Sequence, residues 1–261
     1  MKNRLKPFLK RWPKFYNFIK KWYFEFREIQ YKFGMRLLGT RLKERYWAKR
    51  HLRKGDDWGY GNSDWVRGYW DSRNHPHRSF LVEKISKFLP SSILEIGCNC
   101  GPNLYLLAEK FPRAEIVGVD INPIAVQKGN EWLVREGISN VRLLVGKADE
   151  LSNFEDKSID ILFTDAVLMY IGPDKIMKVI KEMARIARRA LVLVEWHYLE
   201  SGCRDSRGLG VYHCGAWKRD YVMLLRQFAR EERIVMTKIT QDTWPDRNWS
   251  EVGAIIEVIL E

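Results

Sequence analysis

Residues 93–104 read ILEIGCNCGPNL: an apolar run containing one acid, Glu95, and then a turn in which Cys98, Asn99 and Cys100 stand between Gly97 and Gly101. Nineteen residues beyond Gly101, the run VGVD ends in a second acid, Asp120. A strand entering a glycine turn and then a helix presents backbone N–H groups and a helix N-terminus at the carboxyl edge of a sheet, where ligands of such folds bind. An acid at the end of the following strand can accept both hydroxyls of a ribose, which implies a nucleoside-containing cofactor. A dinucleotide fingerprint needs three glycines, whereas here its positions fall on Gly97, Asn99 and Pro102. The charge of Glu95 at the turn suits a cationic amino-acid group and opposes a pyrophosphate.

The elements that must carry these residues follow from the rest of the pattern. From Ser91 onward, strand-like runs (SILEIG, EIVGVD, VRLLVG, IDILFTD, ALVLVEW) alternate with helix-like segments at 101–110, 123–135 and 174–188. That alternation predicts βαβ units and a parallel sheet with helices on both faces. Near the end, WKRDYVMLLRQFA reads as a helix, followed by two strands, RIVMTKIT and GAIIEVIL, that should pair antiparallel.

These blocks together resemble the class I S-adenosylmethionine-dependent methyltransferases, over roughly residue 91 to the C-terminus. EIGCNCG is similar to their first motif, VGVDINPIAV to the ribose-binding second, GKADEL to the adenine-contacting third and IDILFTDAVLMYI to the fourth. The resemblance implies an α/β, Rossmann-like, mostly parallel seven-stranded sheet with an antiparallel last strand, and S-adenosylmethionine as cofactor. It implies cofactor contacts from Glu95, Gly97, Cys98, Asn99, Gly101, Asp120, Ile121, Ala148 and Asp149, and from Thr164, Asp165 and Ala166 at the methionine end. Arg78, preceding a helix where related folds close over the cofactor, is a further candidate for a carboxylate contact. Cys98 and Cys100 read as small residues filling a tight turn, and neither they nor Cys203 and Cys214 match a zinc spacing, so no metal is expected.

Methyl transfer is an in-line displacement, so alignment is the main task and a base is needed only for a poor nucleophile such as an alcohol. Tyr170, Glu195 and His197 end the fourth and fifth strand regions and are the candidate bases; the alternative is that Glu195 orients a backbone turn and Tyr170 packs. His213 is a further, more remote candidate. WKRDY is similar to a block in methyltransferases of surface-glycan pathways, which suggests O-methylation of a small molecule or saccharide, free or lipid-linked. RNA or other N-methylation, a non-catalytic scaffold and an NAD-linked oxidoreductase are the alternatives.

The net charge of +12 is concentrated at one end: residues 1–54 carry 18 Lys/Arg against Glu25, Glu28 and Glu44. Phe8, Trp12, Phe15, Ile19, Trp22, Phe26, Ile29 and Phe33 form a helical stripe there. The expected division is a basic aromatic helical extension (1–54), a lid or linker with the first core helix (55–90) and the cofactor domain (91–261). The extension suits packing on its own core or a second subunit, an anionic membrane surface, or, less well, nucleic acid. Four cysteines and no bilayer-length apolar run point to the cytoplasm, with attachment at the inner membrane face as the variant that the extension allows.

Overall fold

The computed structural model describes residue 22 and residues 39–52, 64–198, 209–213 and 215–260. The aromatic stripe, apart from Trp22, and Cys203 and Cys214 lie outside the described residues, as does the His213 side chain.

Seven strands form one sheet: β1 (Ser92–Ile96), β2 (Glu115–Asp120), β3 (Val141–Val145), β4 (Ile159–Asp165), β5 (Ala187–Trp196), β8 (Ile234–Lys238) and β9 (Gly253–Ile259). Their order is β3-β2-β1-β4-β5-β9-β8. The first five run parallel, and β9 is antiparallel to both β5 and β8, as the sequence predicts. Both faces are covered, so the central strands read as continuous apolar runs rather than alternating ones. Along β5, Ala190, Val192 and Val194 enter one core while Leu191 and Leu193 enter the other.

Helices α1 (Arg41–Ala48), α2 (Trp65–Asp71), α3 (Pro76–Ser86), α4 (Pro102–Lys110), α5 (Pro123–Arg135), α6 (Ile176–Ile186), α7 (Tyr221–Leu225) and α8 (Arg247–Val252) surround the sheet or cross its carboxyl edge. Proline opens α4 and α5, where its fixed φ suits the first turn and its missing N–H costs nothing. Asn122 caps α5, its Oδ1 accepting from Ile124 N and Ala125 N at 3.2 Å each.

One predicted element differs. WKRDYVMLLRQFA is not a single helix: Ala216–Lys218 is strand β7, paired antiparallel with β6 (Val211–His213), and only Tyr221–Leu225 is helical. Asp220 divides them by capping the helix at Met223 N, so its short polar side chain sets the start that periodicity alone placed too early.

Helix α5 approaches the glycine turn closely at Gly129, where a Cβ would lie 2.6 Å from the Cys100 carbonyl oxygen and collide with Leu143 Cδ1. Gly129→Ala should therefore lower stability by about 1–3 kcal/mol through overpacking, measured by chemical denaturation; a midpoint equal to that of the parent would contradict this close approach.

Candidate active site

The carboxyl edge is built around a tight turn. Gly97, Asn99 and Gly101 all have positive φ (77°, 51° and 81°), so the chain reverses within five residues before α4 begins. Two of the three are glycine and the third is asparagine, the residues that reach this region most readily. Asn99 N donates to Asp120 Oδ2 at 2.8 Å, and Asn122 N donates to Asp120 Oδ1 at 2.7 Å, which fixes the carboxylate at the end of β2. Burial pushes Asp120 up to about 6, with these two amides pulling it back.

A cavity of about 210 Å³ lies over this edge. Of the residues singled out from the sequence, Gly97, Asn99, Asp120, Ile121, Ala148, Asp149, Asp165, Ala166 and Tyr170 line it. Asp149 does so with its carboxylate ion-paired to Lys175 at 3.0 Å and Lys178 at 3.4 Å.

The remaining expected residues are placed behind the wall. Cys98 is buried, its sulfur facing the space above Gly118, where a Cβ would approach it to 2.6 Å. Gly101 caps α4. Arg78 is 2% exposed and fully engaged by protein groups: Ser72 O, Ser72 Oγ, Asn103 Oδ1 (2.7 Å) and Asp165 Oδ2 (3.3 Å). It braces the site instead of reaching into it. Thr164 donates to Glu195, and Glu195 accepts further bonds from the amides of Val167, Leu168 and Met169. Burial pushes the Glu195 carboxyl up to about 7 despite these four donors. His197 is also buried, and its Nδ1 accepts from Tyr221 N at 3.2 Å. Of the three candidate bases only Tyr170 lines the cavity, because Glu195 on β5 and His197 just beyond it are drawn under the chain by backbone amides.

Two acids stand out for what they lack. Asp165 Oδ2 accepts from His77 Nε2 (3.0 Å), Arg78 Nη1 (3.3 Å) and Asn103 Nδ2 (3.0 Å), yet its Oδ1 is buried without a partner. Glu95 Oε1 accepts from Asn103 Nδ2 at 2.7 Å, and its Oε2 is likewise buried and unpartnered. Burial pushes Glu95 up to about 8, with the Asn103 bond opposing. Burial would also raise Asp165, but His77, Arg78 and Asn103 hold its carboxyl well below the usual carboxylate range.

Sequence reasoning missed the roof. Helix α1 crosses the cavity and contributes Lys43, Glu44 and Trp47; Thr40, its N-cap, also lines the space. It is tied to the loop after β4 by Thr40 Oγ1 donating to Asp174 Oδ1 (2.7 Å) and by a Lys175–Glu44 ion pair of 2.5 Å. At its other end, Asn122 Nδ2 donates to the Trp47 carbonyl at 2.9 Å. Trp47 lies 4.8 Å from Tyr170 and 6.0 Å from Trp65, ring centre to ring centre, and Tyr69 continues this aromatic wall. Trp65 and Tyr69 both fall within 55–90, the stretch expected to hold a lid or linker. His77 lies in the first turn of α3, and its pairing with Asp165 spans 88 positions and leaves no mark in the local sequence. Among the described residues no group of His, Cys, Asp and Glu could hold a metal ion, and no helix is long and apolar enough to cross a membrane.

Removing the imidazole tests the assignment of His197 to packing. His197→Ala should leave the Tyr221 amide unsatisfied and cost about 1–3 kcal/mol of unfolding free energy, with ligand binding in the cavity unchanged. Full stability with impaired binding would instead place His197 in the site.

Residues 93–190 match a family described as "Methyltransferase domain". Two curated relatives are a probable tocopherol O-methyltransferase, chloroplastic, of Oryza sativa subsp. japonica and a trans-aconitate 2-methyltransferase of Deinococcus radiodurans. The first is 29% identical over 41% of this chain and 29% of its own length. The second is 28% identical over 43% of this chain and 40% of its own length, so the chain spans well under half of either relative. Among solved structures, geranyl diphosphate C-methyltransferase from Streptomyces coelicolor A3(2), in complex with Mg2+, geranyl diphosphate and S-adenosyl-L-homocysteine, aligns with a TM-score of 0.55. It covers 70% of this chain and 79% of its own at 13% identity, a likeness of fold.

Proposed function

Residues 93–190 form a domain of the class I S-adenosylmethionine-dependent methyltransferase family, and from that premise we propose that the chain transfers a methyl group to an oxygen of a small molecule or saccharide. The observation that carries the reading is the pairing at one cavity of a fixed ribose-type acid with Asp165, whose Oδ1 is buried without a partner, while the unpartnered Oε2 of Glu95 lies behind the cavity wall. Asp120 is held by two backbone amides with its carboxylate at the cavity wall. Glu95 Oε2 and Asp165 Oδ1 are buried acceptors that a cationic amino group would satisfy, directly or through water, and leaving them unmet is costly. The cofactor therefore fits the residues present.

In this reading Asp120 and Ile121 receive the ribose, Ala148 and Asp149 border the adenine, and Gly97, Asn99, Asp165 and Ala166 accommodate the amino-acid end. The absence of a Cβ at Gly97 is required there, since one would collide with the Val167 side chain. S-adenosylmethionine supplies an electrophilic methyl on a sulfonium. The protein's part is to orient both reactants and exclude water, which α1 and the rings of Trp47, Trp65, Tyr69 and Tyr170 do from above. Those flat apolar faces suit a saccharide ring or an apolar small molecule. Burial and the nearby Glu195 charge push the Tyr170 phenol up. It stays protonated at neutral pH and acts as a hydrogen-bonding wall, so alignment is the main catalytic effect.

Calorimetric titration of the full chain with S-adenosylhomocysteine tests the reading. Asp120→Ala removes acceptors for two charge-assisted hydrogen bonds, each worth about 1.5–3 kcal/mol, and should weaken binding at least about tenfold without unfolding the protein. Because only the ionised acid accepts both hydroxyls, affinity should also fall as pH drops through about 6. Equal affinity in parent and variant would remove Asp120 from the site.

Glu95 gives an independent check. With its carboxyl pushed up to about 8 in the free protein, it is mainly protonated at pH 7, and a bound ammonium favours its ionised form. Binding of S-adenosylhomocysteine at pH 7 should therefore release protons, visible as a buffer-dependent enthalpy, and Glu95→Gln should abolish the release. A buffer-independent enthalpy in the parent would rule out the ammonium contact.

A further inference from the structure

The turn that follows β4 is gripped from two sides by buried charges that do not themselves reach the cavity. On its amide side, Val167 N and Leu168 N donate to Glu195 Oε1 at 3.0 and 2.9 Å, and Met169 N donates to Oε2 at 3.0 Å. On its carbonyl side, Leu168 O accepts from Arg219 Nη1 at 2.9 Å, and Ile171 O accepts from Arg219 Nη2. Arg219 Nε donates to Leu209 O at 2.8 Å, so the same guanidinium also ties down the chain entering β6. Both side chains are 0% exposed.

An ionised group with no exposure is destabilising unless all its hydrogen-bonding capacity is met. Here five of the seven hydrogen bonds of Glu195 and Arg219 fall on the five-residue turn 167–171, the others going to Thr164 and Leu209. Isolated charges of this kind would be replaced at little cost by apolar side chains if packing were their only role. Their directed bonds do what apolar contacts cannot: they fix the rotation of successive peptide planes, since N–H groups point one way and C=O groups the other.

What the turn carries explains why its position matters. Val167, Tyr170 and Ile171 line the cavity, and Val167 packs where a Gly97 Cβ would be. Ala166, immediately before it, lines the cavity with a left-handed φ of 59°, a conformation an alanine holds only when its surroundings impose it. Its amide donates to Val194 O at 2.8 Å, so β5 holds one side of Ala166 and the clamped turn holds the other.

We propose that Glu195 and Arg219 are positioning residues that hold Ala166, Val167 and Tyr170 against the amino-acid end of the cofactor, acting through the turn rather than by contact with either reactant. The proposal rests on the methyl-transfer reading above for the identity of that ligand. It assigns Glu195 a task other than proton removal and gives Arg219 a role in the site. It also makes the β6–β7 arm, through Leu209 and Arg219, a part of the machinery that sets the cavity wall.

Two ligands separate positioning from general support of the fold. S-adenosylhomocysteine has the amino-acid end; adenosine lacks it and draws only on the Asp120, Ile121 and Ala148 side. Titration of the full-length parent, Arg219→Lys, Arg219→Met and Glu195→Gln with both ligands, beside thermal unfolding, gives the readout. We expect S-adenosylhomocysteine affinity to fall about tenfold in Arg219→Lys and Glu195→Gln and further in Arg219→Met, with adenosine affinity within about twofold of the parent. The partial recovery in Arg219→Lys reflects its single donor arm reaching one carbonyl. Arg219→Lys and Glu195→Gln keep side-chain size and carry the test if Arg219→Met does not fold. Equal loss of both ligands, or unchanged affinity for both, would overturn the proposal alone. A parent that binds adenosine but not S-adenosylhomocysteine, or neither, would overturn the methyl-transfer reading and the proposal with it.

Discussion

The bond from Asn99 N to Asp120 Oδ2 joins the two strand ends on which the site depends. It ties a turn of three left-handed residues to the acid that ends the neighbouring strand, so the glycine turn and the ribose-type carboxylate move as one unit. Everything around it is arranged to keep that unit in place. Gly129 lets α5 close in from one side, Gly97 lets Val167 close in from the other, and Asn122 bonds both Asp120 and the roof helix. A side chain added at either glycine would push apart elements belonging to different strands.

Charge is used in two distinct ways at this edge of the sheet. Glu95 and Asp165 are buried acids with one oxygen satisfied and one left over, an arrangement that leaves hydrogen-bonding capacity unmet. Arg78, Arg219 and Glu195 are equally buried but turned on the protein itself: Arg78 on Asn103 and Asp165, the other two on the turn that follows β4. The distinction explains why three residues of a type suited to catalysis or ligand binding do not face the cavity. Their value lies in direction, since each fixes backbone or side-chain groups that a hydrophobic residue would leave free to slide.

The sheet was legible from the chain because its information is local. Apolar runs of five to seven residues, separated by helix-length segments, state the β1 to β5 pattern directly, and Glu95, Gly97, Gly101 and Asp120 fall at strand ends where the alternation places them. What could not be read is long-range. Glu195 lies where a crevice-facing base would be expected, and only the path of residues 167–169 over it turns the carboxylate inward. The seating of α1 on Asp174, Lys175 and Asn122 joins positions more than 70 apart, and no period in the sequence encodes that contact. The early break in WKRDYVMLLRQFA was legible in principle, since Asp220 is a ready cap, but the apolar spacing around it reads through the break.

The central claim is that one trough, floored by the glycine turn and roofed by α1, holds the cofactor with its ribose on Asp120 and its amino group toward Glu95 and Asp165. A crystal structure of the full chain grown with S-adenosylhomocysteine tests this most directly. The account predicts both ribose hydroxyls within hydrogen-bond distance of the Asp120 carboxylate, and the ammonium reaching the free oxygens of Glu95 and Asp165 directly or through one water. Ligand density elsewhere, or a cofactor turned so that its amino group points away from both acids, would contradict it.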